Sequence, residues 1–167
     1  MNITNKIMED SINRLHKTLY AVWFIVFILM FATIVMHYIV YDTFKRSEDF
    51  YFYYGDLKYI FFILVFLAAI ICLYVRKWHF SKQMTRLFED WNKNQSKTFP
   101  YSEIFEKYST NMILSIILTE NSVVIGFIFS LLTGSVILFY ISIIVSICLL
   151  IYCTPKKSEI KTLLTYK

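Results

Sequence analysis

The sequence predicts an all-α, polytopic membrane protein: four transmembrane helices, with a cytoplasmic helical hairpin extending the second and third. Three observations carry that reading. Hydrophobic residues make up 57% of the 167 residues and aromatic residues 19%, whereas soluble domains sit at roughly half apolar. The excess is gathered into four runs, each long enough to cross a ~30 Å hydrocarbon core at about 1.5 Å per residue. The Lys and Arg residues between the runs fall almost wholly on one side of them.

Taken in order, the first feature is an amphipathic stretch over residues 5–18. Met8, Ile12 and Leu15 recur at helical spacing, continued by Leu19, with Glu9, Asp10, Arg14 and Lys17 around the rest. This pattern predicts a short helix lying on the membrane surface and leading into the bilayer. Residues 19–41 hold no formal charge and form the first span. The run is too long for a signal-peptide core, and no small-residue cleavage site follows it. The next loop carries five consecutive aromatics, Phe50 to Tyr54. These predict an interfacial belt, with a docking surface for a partner or an amphipathic ligand as the alternative.

Residues 59–75 form the second span. Beyond it Phe80, Met84, Leu87, Phe88 and Trp91 keep a helical spacing, interleaved with Lys82, Arg86, Glu89 and Asp90. After a polar turn, Pro100 restarts the chain, Ser102 suits an N-cap, and Glu103 and Glu106 suit a first helical turn. Ile104, Phe105 and Tyr108 lead on into the third span at 113–133. Residues 76–112 therefore read as the cytoplasmic hairpin, and residues 136–153 as the fourth span. The whole chain, 1–167, is a single membrane domain.

Orientation follows from the basic residues. The N-terminal segment, the central connection and the C-terminal tail together carry fourteen Lys and Arg, and the first loop carries three. Both termini are expected in the cytoplasm, with a bacterial inner membrane as the location. The net charge of +5 matches anionic lipid headgroups. No nucleic-acid motif is present, so the expected partners are the lipid bilayer and either other membrane subunits or further copies of this chain. Cys72, Cys148 and Cys153 fall in or at the ends of apolar runs, with no C-x-x-C pair, and read as small packing residues.

The third span is the most polar. Ser115, Thr119, Ser122, Gly126, Ser130 and Thr133 recur at spacings of three and four, which places them within an arc of roughly 80°. A stripe of small residues lets a second helix approach closely, and hydroxyls can bond across such a contact. Ser135, Ser142, Ser146 and Cys153 recur along the fourth span. The two stripes are expected to mate, with Ser115, Gly126, Ser130, Thr133, Ser142 and Ser146 as packing positions.

Glu120 lies about 140° around the helix from that stripe. An acidic side chain at membrane depth costs roughly 2.5–3.5 kcal/mol on insertion scales, so it has a partner, a proton or a task. One reading is a structural hydrogen bond to another helix or subunit. Another is an H⁺ or Na⁺ site at Glu120 assisted by Thr119, Asn121 and Ser122, and hence ion transport through an oligomer. A catalytic carboxylate lacks a second acid, base or nucleophile at that depth.

The run Leu118-Thr119-Glu120-Asn121-Ser122-Val123-Val124-Ile125-Gly126 resembles the carboxylate helix of rotary ATPase proteolipid subunits. In that family a membrane Glu carries the translocated ion, with Ile or Val and then Gly a few residues on. The resemblance covers about twenty residues and implies a candidate ion site at Glu120, with Gly126 as a close-packing position. The proteolipid carboxylate stands on the second helix of its hairpin, whereas Glu120 stands on the first of this one. The chain as a whole resembles small bacterial four-helix membrane proteins to which no activity is attached.

Other chemistry is sparse. His16, His37 and His79 fall at different depths and cannot pair across a haem. His37, beside Tyr38 and Tyr41, reads as an interfacial residue, with a quinone contact as a minor option. No phosphate loop or hydrolase motif occurs. The sequence therefore points to a non-enzymatic component of a membrane complex, with no cofactor and no metal site. An ion- or proton-conducting oligomer using Glu120 is the alternative, and a lipid- or quinone-binding membrane protein the second alternative.

Overall fold

A computed structural model of the chain describes residues 3–45, 57–93 and 101–164. All the elements among them are helical: α1 (Ile3–Lys45), α2 (Leu57–Leu73), a π-helical stretch (Tyr74–His79), α3 (Phe80–Lys93), α4 (Tyr101–Thr133), α5 (Val136–Tyr152) and α6 (Lys157–Leu164). Residues 3–45 contain neither glycine nor proline, so nothing interrupts the backbone ladder and α1 runs unbroken for 43 residues. Helix likewise continues through residues 57–93 by way of the π-helical turn.

Three stretches are long and apolar enough to cross a membrane: Glu9–Thr43, Leu57–Lys93 and Tyr101–Thr133. The fourth apolar helix, α5, is shorter at 17 residues. It is set against α4 by a tight turn. Gly134 adopts φ 65°, a left-handed conformation that closes a helix cheaply only at a residue without a Cβ. α4 is the hub of the molecule, packing on α5, α2 and α1.

Two regions differ in how they are built. The basic end has a core of Ile12 and Leu19 from α1, Met84 and Leu87 from α3, Ile104, Tyr108 and Met112 from α4, and Ile160 from α6. In the N-terminal amphipathic stripe, Ile12 and Leu19, with Leu15 beside them, pack on protein as a continuous part of α1. α3 and the start of α4 share this cluster with α1 and α6. Ser102 lies within α4 rather than ahead of it. The C-terminal segment, read from the sequence only as a basic tail, forms α6 with Ile160 fully buried.

The apolar body is arranged differently. Its inner positions include Val26, Met30, Ile116, Val123 and Phe139, joined by Ser115, Ser122, Ser130, Ser142 and Ser146, all five of them at 0% exposure. Its outer surface is apolar, with Ile63 at 64% and Phe66 at 68% exposure on α2. The Phe50–Tyr54 aromatics and the Asn94–Pro100 connection lie outside the described residues.

Candidate functional site

α1 presents one face to the rest of the body. Trp23, Thr33, His37 and Tyr41 lie along it with Val26 and Met30 between them, at the spacings that keep residues on one side of a helix. Each of the four makes a hydrogen bond outward from α1. Trp23 Nε1 donates to the Leu150 carbonyl at 2.9 Å, one of the last-turn carbonyls of α5 that lack an intrahelical partner. Thr33 Oγ1 donates to Glu120 Oε1 at 3.2 Å. His37 Nε2 pairs with Ser130 Oγ. Tyr41 OH donates to the Gly134 carbonyl at 2.7 Å. The seam therefore runs from the end of α5 to the α4–α5 turn.

His37, read from the sequence as interfacial, is 3% exposed. It stacks on Phe139 with ring centroids 3.8 Å apart and meets Phe127 edge-on. Ser130 Oγ also lies 3.1 Å from the Phe127 carbonyl, to which it donates. Its lone pairs then remain to accept from His37 Nε2–H. A flat aromatic face and a hydroxyl partner together make an imidazole acceptable in an interior.

Glu120 reaches across to α1. Thr33 Oγ1 also contacts the Leu29 carbonyl at 3.0 Å, so one hydroxyl hydrogen faces two acceptors. A carboxylic acid at Glu120 would supply the missing donor, whereas a carboxylate would not. Glu120 Oε2 is buried with no hydrogen-bond partner among the described residues.

The sequence neighbours do not gather around this carboxyl, because consecutive residues on a helix point about 100° apart. Thr119 is buried and donates to its own helix at the Ile116 carbonyl, 2.6 Å away. Ser122 is fully buried, its hydroxyl without a partner among the described residues. Asn121 is exposed on the outer face of α4. Among the described residues, no group of three or more His, Cys, Asp or Glu side chains could hold a metal ion.

Gly126 faces Ser142 of α5. A Cβ built on Gly126 would lie 1.8 Å from Ser142 Oγ and 2.4 Å from its Cβ, so no side chain fits unless α5 shifts. The hydroxyls along this packing mostly bond their own helices. Ser115 donates to the Asn111 carbonyl at 2.8 Å, Ser142 to the Phe139 carbonyl at 2.7 Å and Thr133 to the Phe129 carbonyl at 2.7 Å. Ser146 is fully buried, and its hydroxyl has no partner among the described residues. Small size, rather than cross-helix hydrogen bonding, is what these positions contribute. Ser130 is the exception, through His37.

The outer face of α4 is a stripe of Leu114, Ile117, Val124, Ile128 and Leu132, between 38% and 47% exposed. Asn121 sits in the middle of it. Beside His37, a groove of about 860 Å³ opens between α1 and α5, its wall including Tyr38, Tyr41, Asp42 and Tyr140.

From the sequence, His37 read with Tyr38 and Tyr41 as an interfacial group, not with Thr33 and Tyr41 as one inward face. The four-residue spacing of Thr33, His37 and Tyr41 along an otherwise apolar run was the signal that would have read them as an inward stripe. No protein-family model, no curated protein and no solved structure matches this chain.

Proposed function

We propose that this chain is a non-enzymatic integral membrane protein that works as a subunit or self-assembling component of a membrane complex. It crosses a bacterial inner membrane four times, with α5 as the fourth crossing, and both termini lie in the cytoplasm on the basic end. The carrying observation is Asn121. Its amide is exposed among Leu114, Ile117, Val124 and Ile128, at a level where the solvent is hydrocarbon. An amide with no partner there costs on the order of a few kcal/mol, and one that bonds a second helix recovers ~1 kcal/mol or more. A stripe of apolar residues with one central amide supports assembly through α4.

Gentle purification from native membranes, with mass measurement of everything retained, tests this. The wild-type chain is expected as a defined oligomer or with a stoichiometric companion. Asn121→Leu is expected as a monomer of undiminished thermal stability. A lone wild-type monomer, or an Asn121→Leu chain as assembled as the wild type, would overturn the reading.

A second reading, ion or proton conduction, rests on Glu120. It is only partly buried and stands next to Asn121, so it lies at the edge of the same face, while its Oε2 is buried with no partner among the described residues. The resemblance of residues 118–126 to the proteolipid carboxylate helix points the same way. Glu120→Gln should then abolish ion flux in proteoliposomes while leaving assembly intact. If Glu120 serves structure alone, the same change weakens assembly and there is no flux to lose.

A further inference from the structure

α2 and α5 end at the same level of the molecule, and the chain turns basic at both ends. The second apolar run gives way to Arg76-Lys77, and the fourth gives way, past Pro155, to Lys156-Lys157. Between them lies a cavity of about 610 Å³, to which Arg76, Lys77 and Lys156 contribute. Among the described residues Glu159 is the one carboxylate in its wall, so three cations against one anion leave that lining at net +2.

The site is preorganised at its centre. The Arg76 side chain is 10% exposed and pairs with Glu159. Its guanidinium lies over the Tyr108 ring, 5.9 Å from the centroid, and Tyr108 OH donates to Glu159 at 3.2 Å. A guanidinium has five donors, and the pairing to Glu159 is through Nη2; Nε, without a partner among the described residues, is buried and not open to the cavity. Lys77 and Lys156 are exposed at the rim. Ile151 and Tyr152, 65% and 46% exposed, carry the wall down into the apolar body.

We propose that this cavity binds a phosphate-bearing anion, with Arg76 fixed at the back and Lys77 and Lys156 closing on it from the rim. Charge-assisted bonds from Arg and Lys to phosphate oxygens are the chemistry. Basic pockets between helix ends at the cytoplasmic boundary are where anionic headgroups dock. The lipid source of the phosphate rests on the membrane reading above; binding of a soluble phosphate does not.

The test is thermal unfolding of the full chain in a neutral detergent with phosphatidylglycerol, phosphatidylcholine or inorganic phosphate added. Phosphatidylglycerol should raise Tm by about 3 °C more than phosphatidylcholine does. Lys77→Gln with Lys156→Gln, both at exposed positions, should lose that difference while unfolding normally without lipid. Arg86→Gln with Lys93→Gln removes the same charge from α3 and should keep it. A rise with phosphatidylglycerol alone identifies a lipid headgroup. A rise with inorganic phosphate that the Lys77/Lys156 variant loses identifies a soluble phosphate. Equal responses to the two lipids with none to phosphate, or a response that survives the Lys77/Lys156 change, would overturn the site.

Discussion

The basic end and the apolar body are built on opposite plans. At the basic end, large side chains fill the centre: Tyr108, Ile104, Met112, Leu19 and Ile160 are at most 1% exposed, while charged residues such as Glu9, Arg86 and Lys161 face outward. In the body many large apolar side chains face outward, though Phe61 and Phe139 are buried, and many of the tightest positions belong to serine, with Gly126 among them. The solvent accounts for the difference. Water drives large apolar side chains together, so the basic end holds as a soluble core does. Lipid tails are as apolar as leucine, so helices there gain from close approach and hydrogen bonds rather than from hiding hydrocarbon. The contrast teaches that one chain can change its rule of packing along a single helix. α4 obeys one rule at Tyr108 and the other at Gly126.

The largest expected effect comes from breaking close approach in the body. Gly126→Leu places a branched side chain where even a Cβ meets Ser142 at 1.8 Å. The cost should exceed the ~1–3 kcal/mol of ordinary overpacking, so little folded protein should accumulate. Gly126→Ala should be milder, and Ser142→Gly should rescue it, as read by thermal unfolding in detergent. A Gly126→Leu chain of normal stability would mean the body is not held by close approach.

At the basic end the opposite change should hurt. Ile104→Ala removes volume from a filled core at 1% exposure and should cost about 3 kcal/mol. Hydrogen exchange should then rise in α3 and α6 first and reach α5 last. Uniform loss of protection would erase the distinction between the regions.

The seam should show a smaller, pairwise effect. Thr33→Val removes the hydroxyl bonded to Glu120 and should cost about 1 kcal/mol. Thr33→Val with Glu120→Leu should be nearly neutral for folding, since both partners of the bond are gone. If the double change costs the sum of the singles, the two residues do not act as a pair.

The smallest effect is alkaline. Tyr108 lies outside the 113–133 run, and burial, with Glu159 adding to it, pushes its phenol well above the ordinary tyrosine value. The unfolded chain's tyrosine loses its proton first. Stability from this group is therefore full below the ordinary value of 10.0 and falls as pH rises above it. In Tyr108→Phe that part of the alkaline fall should disappear. Equal alkaline slopes for the two proteins would mean that Tyr108 does not contribute.

Much of the architecture was legible because length and periodicity are local. The long apolar runs and the small-residue spacing along α4 need only neighbouring residues to be read. The seam was not legible in the same way. Both faces of α1 are largely apolar between residues 19 and 41, so only the four-residue spacing of Thr33, His37 and Tyr41 marks the side they occupy. Glu120 finds its partner on α1, 87 residues away in the chain, and no local pattern encodes such a pairing. α6 was missed for a related reason: eight residues with one deeply buried isoleucine give too short a pattern until a core exists to receive it. Asn121 was grouped with Glu120 by adjacency in sequence, whereas helical geometry turns it outward.

Photo-crosslinking in native membranes tests the assembly claim most directly. A benzophenone side chain is placed at Ile128, on the exposed α4 stripe, or at Ile63, on the exposed face of α2; the two are 47% and 64% exposed. Assembly through α4 predicts one discrete protein adduct from position 128, lost on adding Asn121→Leu, and only lipid adducts from position 63. Protein adducts of equal yield from both positions, or from neither, would contradict it.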